Sequence, residues 1–193
     1  MKKSKVLIAY PPDFLSREKF VRKVEFFTRK IAIETFLIAG DPNGFAAEYA
    51  ASIGIPCVVW TASDSPPTHA IIFSADDSFA ELEARLFSLG VRGKRVNLKL
   101  ATVANKDKGE RFDIYIGRGT IWGNPYPIGV AGDREEVLRK YQYDFDQRYL
   151  KFFENHDENV EKLRGKVLGC HCKPAACHGD ILAAYVNSLD DGE

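Results

Sequence analysis

Residues 35–54 read TFLIAGDPNGFAAEYAASIG, and their pattern indicates the fold class. The apolar run TFLIAG has the composition of a buried strand and is ended by Gly40. After the turn we expect a helix from about Phe45 to Ile53. A strand that leads through a glycine-containing turn into a helix is the repeating unit of parallel sheets, so the stretch predicts an α/β protein.

The same alternation of strand and helix runs through the whole first half of the chain. Ser16 caps one predicted helix and Gly90 closes another. Strands that are separated by helices favour parallel pairing with right-handed crossovers. The further strands predicted here are KVLIAY (5–10), PCVVW (56–60), AIIFS (70–74) and RVNLKL (95–100).

The second half contains two more predicted strands, DIYIG (113–117) and KVLGCHC (166–172), on either side of a glycine-rich loop. That loop, GRGTIWGNPYPIGVAG, holds five glycines and two prolines in 16 residues, which excludes a regular element. Asp133 caps a predicted long helix whose apolar positions continue to Phe153. A closing helix has an apolar face from Ile181 to Leu189.

The polar segment LATVANKDKGERF (100–112) has no periodicity, and we interpret it as a linker or mobile loop. The predicted architecture is therefore α/β with two small subdomains, residues 1–92 and 93–193. Each is expected to be a Rossmann-like parallel sheet with flanking helices.

Charge and hydropathy exclude some classes of protein. The 193 residues carry 27 basic and 27 acidic side chains, so the overall charge does not favour coating of nucleic acid, although a local basic site is compatible with it. No apolar run approaches the roughly 20 residues that a membrane helix needs, and the apolar run near the start is too short for a leader. We expect a cytoplasmic protein with no membrane partner.

The first candidate site is the turn with Gly40, Asp41 and Gly44. Backbone amides at such a helix start attract phosphate, and the glycines allow a ligand to approach closely. An ordinary strand-to-helix turn is the alternative reading. Over about residues 5–75 the arrangement resembles the SLOG superfamily, which implies a Rossmann-like scaffold for a nucleotide or nucleotide-derived ligand. The first loop departs from that pattern, because Ala9-Tyr10-Pro11-Pro12 stands where a small or glycine-containing turn is usual.

The second candidate site combines two motifs that both follow strands. Gly117-Arg118 precedes a Trp122-Gly123-Asn124-Pro125 turn, and the other motif is CHCKPAACHGD (170–180). Over about residues 94–189 these motifs resemble an uncharacterised domain of unknown function found in bacterial and phage proteins. The resemblance implies no activity, so the chemistry must come from the residues. His171 stands where an aromatic residue such as tryptophan is more usual, which argues against an essential ligand there.

The residue types of the first motif suit a nucleotide or nucleobase. Arg118 offers a planar fork for phosphate, Trp122 a stacking face, and Asn124 a paired donor and acceptor. Ligands gather at the carboxyl ends of parallel strands, so we expect the two motifs to form one pocket for an anion.

The second motif suggests catalytic groups at a helix start. Cys177 there is expected to have a lowered pKa and to serve as a nucleophile, with His178 as acid or base. Asp180 would orient His178 or accept from the first amides, while Gly179 keeps the approach to those amides open.

Two other readings of the cysteine motif remain open. Cys170, Cys172, Cys177 and His178 are a zinc-like ligand set, which would make the protein a zinc-stapled module that binds nucleic acid or protein without catalysis. The Cys-x-Cys spacing is awkward for one ion, because a zinc knuckle has two intervening residues. The plainest reading is that the cysteines are core residues and Asp180 a first-turn acid.

Overall fold

The structure is a computed structural model that describes residues 3–192, and it divides into two compact units. The first unit comprises the chain up to Leu98 together with the segment from Ser188, and the second comprises Lys99–Asn187. Each unit contains a parallel sheet with flanking helices, so the protein is α/β and Rossmann-like. None of the helices in the described part of the chain is long and apolar enough to cross a membrane.

The first unit is built on a five-stranded sheet in the order β3-β2-β1-β4-β5 in which every pairing is parallel. The central strand is covered on both faces, because Val6, Leu7 and Ile8 are fully buried. Its strands are β1 (Ser4–Ala9), β2 (Ile33–Ile38), β3 (Cys57–Val59), β4 (His69–Ser74) and β5 (Arg92–Asn97). Its helices are α1 (Arg17–Thr28), α2 (Phe45–Ser52) and α3 (Ala80–Ser88). Ser16 caps α1 as its sequence position predicts, accepting a hydrogen bond from the amide of Lys19 at 3.3 Å.

The second unit has a three-stranded parallel sheet in the order β6-β8-β7. The strands are β6 (Thr102–Asn105), β7 (Ile114–Tyr115) and β8 (Val167–Cys170). The helices are α4 (Arg134–Asp146), α5 (His156–Leu163) and α6 (His178–Ser188). Asp133 caps α4 by accepting from the amide of Glu136 at 2.8 Å.

Two expectations about local structure are wrong. The segment interpreted as a linker contains β6, which pairs with β8, and a 3₁₀ turn at Lys106–Lys108. The strand is only four residues long and its partner lies more than 60 residues later, so no local periodicity reveals it. The long helix after Asp133 ends at Asp146, because Arg148 has a left-handed backbone (φ 59°), and a separate helix α5 follows.

The glycine-rich loop between β7 and α4 folds tightly back on its own start. The amide of Thr120 donates to the carbonyl of Gly117, and the amide of Gly123 donates to the carbonyl of Thr120, both at 3.2 Å. A Cβ at Gly123 would lie 2.5 Å from the Gly117 carbonyl oxygen and 2.9 Å from the Arg118 Cα. These are backbone atoms, so the loop conformation requires glycine at this position.

Replacement of Gly123 by alanine therefore has a definite expected cost. Gly123→Ala should lower the free energy of unfolding by about 1–3 kcal/mol, because the loop must open to admit the methyl group. Gly93→Ala is the control, since a Cβ there meets nothing within 4 Å and its φ is not positive. Urea unfolding followed by circular dichroism measures both. Equal stabilities of the two variants would contradict the packing described here.

Candidate functional site

The turn after β2 is occupied by a side chain of the protein itself. Asp41 accepts from the amides of Ala46 at 3.1 Å and Ala47 at 3.0 Å, both in the first turn of α2. These amides are the groups that the sequence suggests for phosphate. The Asp41 carboxylate thus takes the role of the expected anion, and the geometry does not favour Gly40, Asp41 and Gly44 as a ligand site.

Tyr10, from the unusual first loop, completes this arrangement. Its hydroxyl donates to Asp41 and accepts from the amide of Phe45 at 3.1 Å. Burial, reinforced by the hydrogen bond to Asp41, raises the pKa of Tyr10 well above its usual range. The hydroxyl therefore stays protonated and keeps its hydrogen bond to the carboxylate.

Aromatic rings fill the neighbourhood of the switch point between β1 and β4, where doubly wound folds bind ligands. The Tyr10 ring stacks on Phe45 with centroids 5.6 Å apart, and Phe14 stacks on Phe73 at 5.1 Å. All four residues are buried. The side chains at this sheet edge pack against each other as core.

The second unit instead has an open cavity at the carboxyl ends of β7 and β8, which we call the strand-end cavity. Its volume is about 360 Å³, and residues of both sequence motifs line it. The glycine-rich loop contributes Arg118 and Asn124, while the cysteine motif contributes Cys177 and His178. The complete lining is Tyr115, Gly117, Arg118, Asn124, Tyr126, Ile128, Arg134, Val137, Leu138, Cys170, His171, Cys172, Cys177 and His178.

Among the residues that the structure describes, the lining of the strand-end cavity contains basic side chains but no carboxylates. Two guanidinium groups line it, those of Arg118 and Arg134, and no aspartate or glutamate is among the lining residues in the described part of the chain. Arg134 donates to the carbonyl of Ala176 at 3.3 Å. Arg118 is exposed and has no ion pair or hydrogen bond within residues 3–192, so its planar fork is available to an anion.

Asn124 and Trp122 differ from their expected roles. The Asn124 Nδ2 donates to the carbonyl of Val137 at 3.3 Å and its Oδ1 accepts from the amide of Tyr126 at 2.8 Å, so this amide holds the loop together. Trp122 is not among the lining residues, and its buried Nε1 has no hydrogen-bond partner in the described structure. The phenol rings of Tyr115 and Tyr126 line the cavity, together with the imidazoles of His171 and His178.

Cys177 is buried and its thiol lies 3.4 Å from that of Cys170. Burial, followed by the hydrogen bond between the two thiols, raises the pKa of Cys177 to about 12. The expected lowering is therefore wrong, because burial outweighs the favourable helix N-terminus. At neutral pH the group is a thiol, which is a poor nucleophile.

Asp180 closes the N-terminus of α6. Its Oδ2 accepts from the amide of Cys177 at 2.9 Å, and its Oδ1 forms an ion pair with Lys173. An acid in the first turn that reaches back to the residue before the helix is a capping arrangement. These contacts give Asp180 a role in fixing the helix start.

His178 is buried and donates from Nε2 to the carbonyl of Ile116 at 2.8 Å, since a carbonyl oxygen can only accept. Burial lowers the pKa of His178 below its ordinary value. The imidazole is therefore neutral near pH 7, with an unprotonated Nδ1. Gly179 serves packing, because a Cβ there would lie 2.7 Å from Ile116 Cδ1 and 3.1 Å from Val103 Cγ1.

No group of three or more histidine, cysteine, aspartate or glutamate side chains within residues 3–192 is placed to hold a metal ion. Cys170 and Cys177 approach each other, but the His178 Nε2 is turned to a backbone carbonyl. The geometry thus does not favour zinc bound by Cys170, Cys172, Cys177 and His178.

Four polar side chains that line the cavity were not among the site residues predicted from the sequence: Tyr115, Tyr126, Arg134 and His171. The position of Tyr115 at the end of a strand was an available signal, as was that of Arg134 directly after the cap Asp133. His171 forms hydrogen bonds with Tyr115 and with Asp107, and these contacts join segments so far apart in sequence that no local pattern could reveal them.

Comparisons with known proteins agree with this division of the chain. Residues 3–104 match the Minimal SLOG domain, and residues 101–188 match the Domain of unknown function DUF4326. An uncharacterized 12.4 kDa protein in the nrdA-td intergenic region of Enterobacteria phage T4 is 47% identical over 91 residues, which cover 47% of this chain and 82% of the phage protein. No solved structure matches the chain significantly.

Removal of the Asp41 carboxylate should cause a measurable loss of stability. Asp41→Ala leaves two helix amides and the Tyr10 hydroxyl without their acceptor, so the free energy of unfolding should fall by about 1–3 kcal/mol. Asp13→Ala is the matched control, because Asp13 is exposed and has no partner in the described structure. Thermal and urea unfolding measure the effect. A stability loss no larger than that of the control would show that Asp41 does not hold this turn.

Proposed function

Because the chain belongs to the Minimal SLOG domain family and its residues 101–188 to the DUF4326 family, we propose that it binds a nucleotide, nucleoside or nucleotide-derived small molecule in the strand-end cavity. SLOG domains are generally domains for nucleotide-related ligands. That relationship supports the class of ligand. The location of the site follows from features of the second unit alone.

The observation that carries the proposal is the pair of guanidinium groups in a cavity without carboxylates. Arg118 and Arg134 favour a negatively charged group, and the planar fork of Arg118 matches the oxygens of a phosphate. A ligand without an anionic group would leave these charges uncompensated. The rings of Tyr115 and Tyr126 add aromatic surface, which suits a nucleobase.

The size and position of the cavity support the same conclusion. A volume of about 360 Å³ lies in the range of small-molecule sites. The cavity lies at the carboxyl ends of parallel strands, where open α/β sheets bind their ligands. The strand-to-helix turn of the first unit is a poorer anion site, because Asp41 and Tyr10 already accept hydrogen bonds from its amides.

The proposal assigns different roles to the residues of the cysteine motif. His178 presents a neutral ring to the cavity, while Asp180 and Gly179 set the start and the close packing of α6. Cys170 and Cys177 form part of the wall. This assignment concerns binding, and it makes no use of a thiolate nucleophile.

The proposal predicts that Arg118→Ala weakens nucleotide binding. Loss of a charge-assisted contact costs about 1.5–3 kcal/mol, so the Kd for a 5′-mononucleotide should rise about 10- to 150-fold. Isothermal titration with the 5′-monophosphates of adenosine, guanosine, cytidine and uridine measures this. Mass spectrometry of the purified protein tests in parallel for a co-purified nucleotide.

The control is Arg139→Ala, because Arg139 is exposed on α4 and does not line the strand-end cavity. The Arg139→Ala variant should bind the nucleotides with the same affinity as the unmodified protein. Binding that survives both Arg118→Ala and Arg134→Ala would reject this site. Absence of binding to all four nucleotides, with no co-purified nucleotide-like molecule, would reject the ligand class.

A further inference from the structure

A chain of three side chains fixes the hydrogen-bonding polarity of one wall of the strand-end cavity. The Nδ1 of His171 lies 2.8 Å from the Oδ1 of Asp107, and its Nε2 lies 2.9 Å from the hydroxyl of Tyr115. Tyr115 and His171 both line the cavity, and Asp107 does not. The contacts run from a carboxylate outside the lining, through the imidazole, to a phenol at the cavity.

The direction of each hydrogen bond follows from the carboxylate. An ionised Asp107 can only accept, so the Nδ1 of His171 carries the proton. When this imidazole is neutral, Nε2 is an acceptor and the Tyr115 hydroxyl donates its single proton to it. The Tyr115 oxygen keeps only lone pairs for a ligand.

Neighbouring groups hold the Tyr115 ring in this position. The ammonium of Lys106 lies over the ring, 4.7 Å from its centroid. A Cβ at Gly117 would lie 2.0 Å from the Tyr115 hydroxyl oxygen, so the absence of a side chain at Gly117 makes room for this hydroxyl. The Gly-Arg pair of the motif thus combines space for Tyr115 with a guanidinium for an anion.

A second group in the cavity has the same polarity. His178 donates from Nε2 to the carbonyl of Ile116, which leaves its Nδ1 as an acceptor. The lining of the cavity therefore combines the guanidinium donors of Arg118 and Arg134 with the Tyr115 oxygen as an acceptor. The Tyr115 oxygen disfavours a carbonyl edge of a bound ligand and favours an N–H edge, because two acceptors that face each other in the complex are left unsatisfied.

We propose that Tyr115 is a specificity-determining residue and that the ligand is a mononucleotide whose base carries an exocyclic amino group. The phosphate binds Arg118 and Arg134, and the amino group donates to the Tyr115 oxygen. This inference rests on the proposed function, since it requires a nucleotide in the strand-end cavity. It adds the class of base and the residue that selects it.

Two ligands that differ by one amino group test the inference. Adenosine 5′-monophosphate and purine riboside 5′-monophosphate share the phosphate, the sugar and the purine ring, but only the first has the amino group. One hydrogen bond corresponds to about a fivefold to tenfold difference in Kd in favour of the adenine nucleotide. Isothermal titration of the full chain with both ligands measures it.

Tyr115→Phe completes a double-mutant cycle with this pair of ligands. The variant should bind both nucleotides with one affinity, equal to that of the purine nucleotide on the unmodified protein. Tyr143→Phe is the matched control, because Tyr143 is exposed on α4 and does not line the cavity. Circular dichroism verifies that each variant is folded.

His171→Ala provides a second readout that does not depend on removing the phenol. Without its acceptor the Tyr115 proton becomes free to donate, so inosine 5′-monophosphate, which has a carbonyl in place of the amino group, should gain affinity relative to the adenine nucleotide. An unchanged ratio of the two affinities would overturn the assigned polarity.

The outcomes separate this inference from the proposed function. Equal affinities of the unmodified protein for the adenine and purine nucleotides, both lost in Arg118→Ala, would overturn the inference and leave the site intact. Failure of every mononucleotide to bind, with no co-purified nucleotide-like molecule, would overturn both. A preference for the adenine nucleotide that persists in Tyr115→Phe would show that another residue reads the amino group, and would overturn the role of Tyr115.

Discussion

Strand β8 pairs in parallel with β6 on one side and β7 on the other, and this pairing determines where the chemistry of the second unit lies. The amide of Ile116 donates to the carbonyl of Gly169 at 3.0 Å, which fixes the end of β7 beside the end of β8. The glycine-rich loop leaves from one strand and the cysteine motif from the other. Two segments about 50 residues apart in sequence thus become the walls of one cavity.

The two units differ in what occupies the carboxyl ends of their parallel strands. Both have parallel strands whose carboxyl ends lead toward helices, and such edges attract anions. In the first unit a carboxylate of the chain satisfies the helix amides, and the Tyr10 hydroxyl supports it. In the second unit the cavity is lined by arginines and remains open. This contrast is why we propose the ligand site in the second unit although the SLOG match covers the first.

Much of this organisation was predictable from the sequence. Strand and helix composition gave the parallel α/β architecture, and the fact that both motifs follow strands predicted that Arg118 and His178 share a site. Other features depend on distances that no pattern encodes. The four-residue strand β6 is recognisable only through its pairing with β8, and the raised pKa of Cys177 depends on how deeply its thiol is buried.

The largest differences concern side chains whose local sequence admits two roles. The amides at a helix start that follows an aspartate can either bind a ligand or donate to the aspartate itself. Only the position of the Asp41 carboxylate shows that the second case applies here. Trp122 and Tyr115 are both aromatic residues near a glycine, but of the two only Tyr115, at the end of β7, lines the cavity. His171 acquires significance only through Tyr115 and Asp107.

A crystal structure of the protein soaked with adenosine 5′-monophosphate would locate the bound phosphate. If the nucleotide binds in the strand-end cavity, electron density for the phosphate will lie within hydrogen-bond distance of the Arg118 guanidinium, with Arg134 beside it. Density for the phosphate at the start of α2, with the Asp41 carboxylate displaced from the amides of Ala46 and Ala47, would contradict binding in the strand-end cavity.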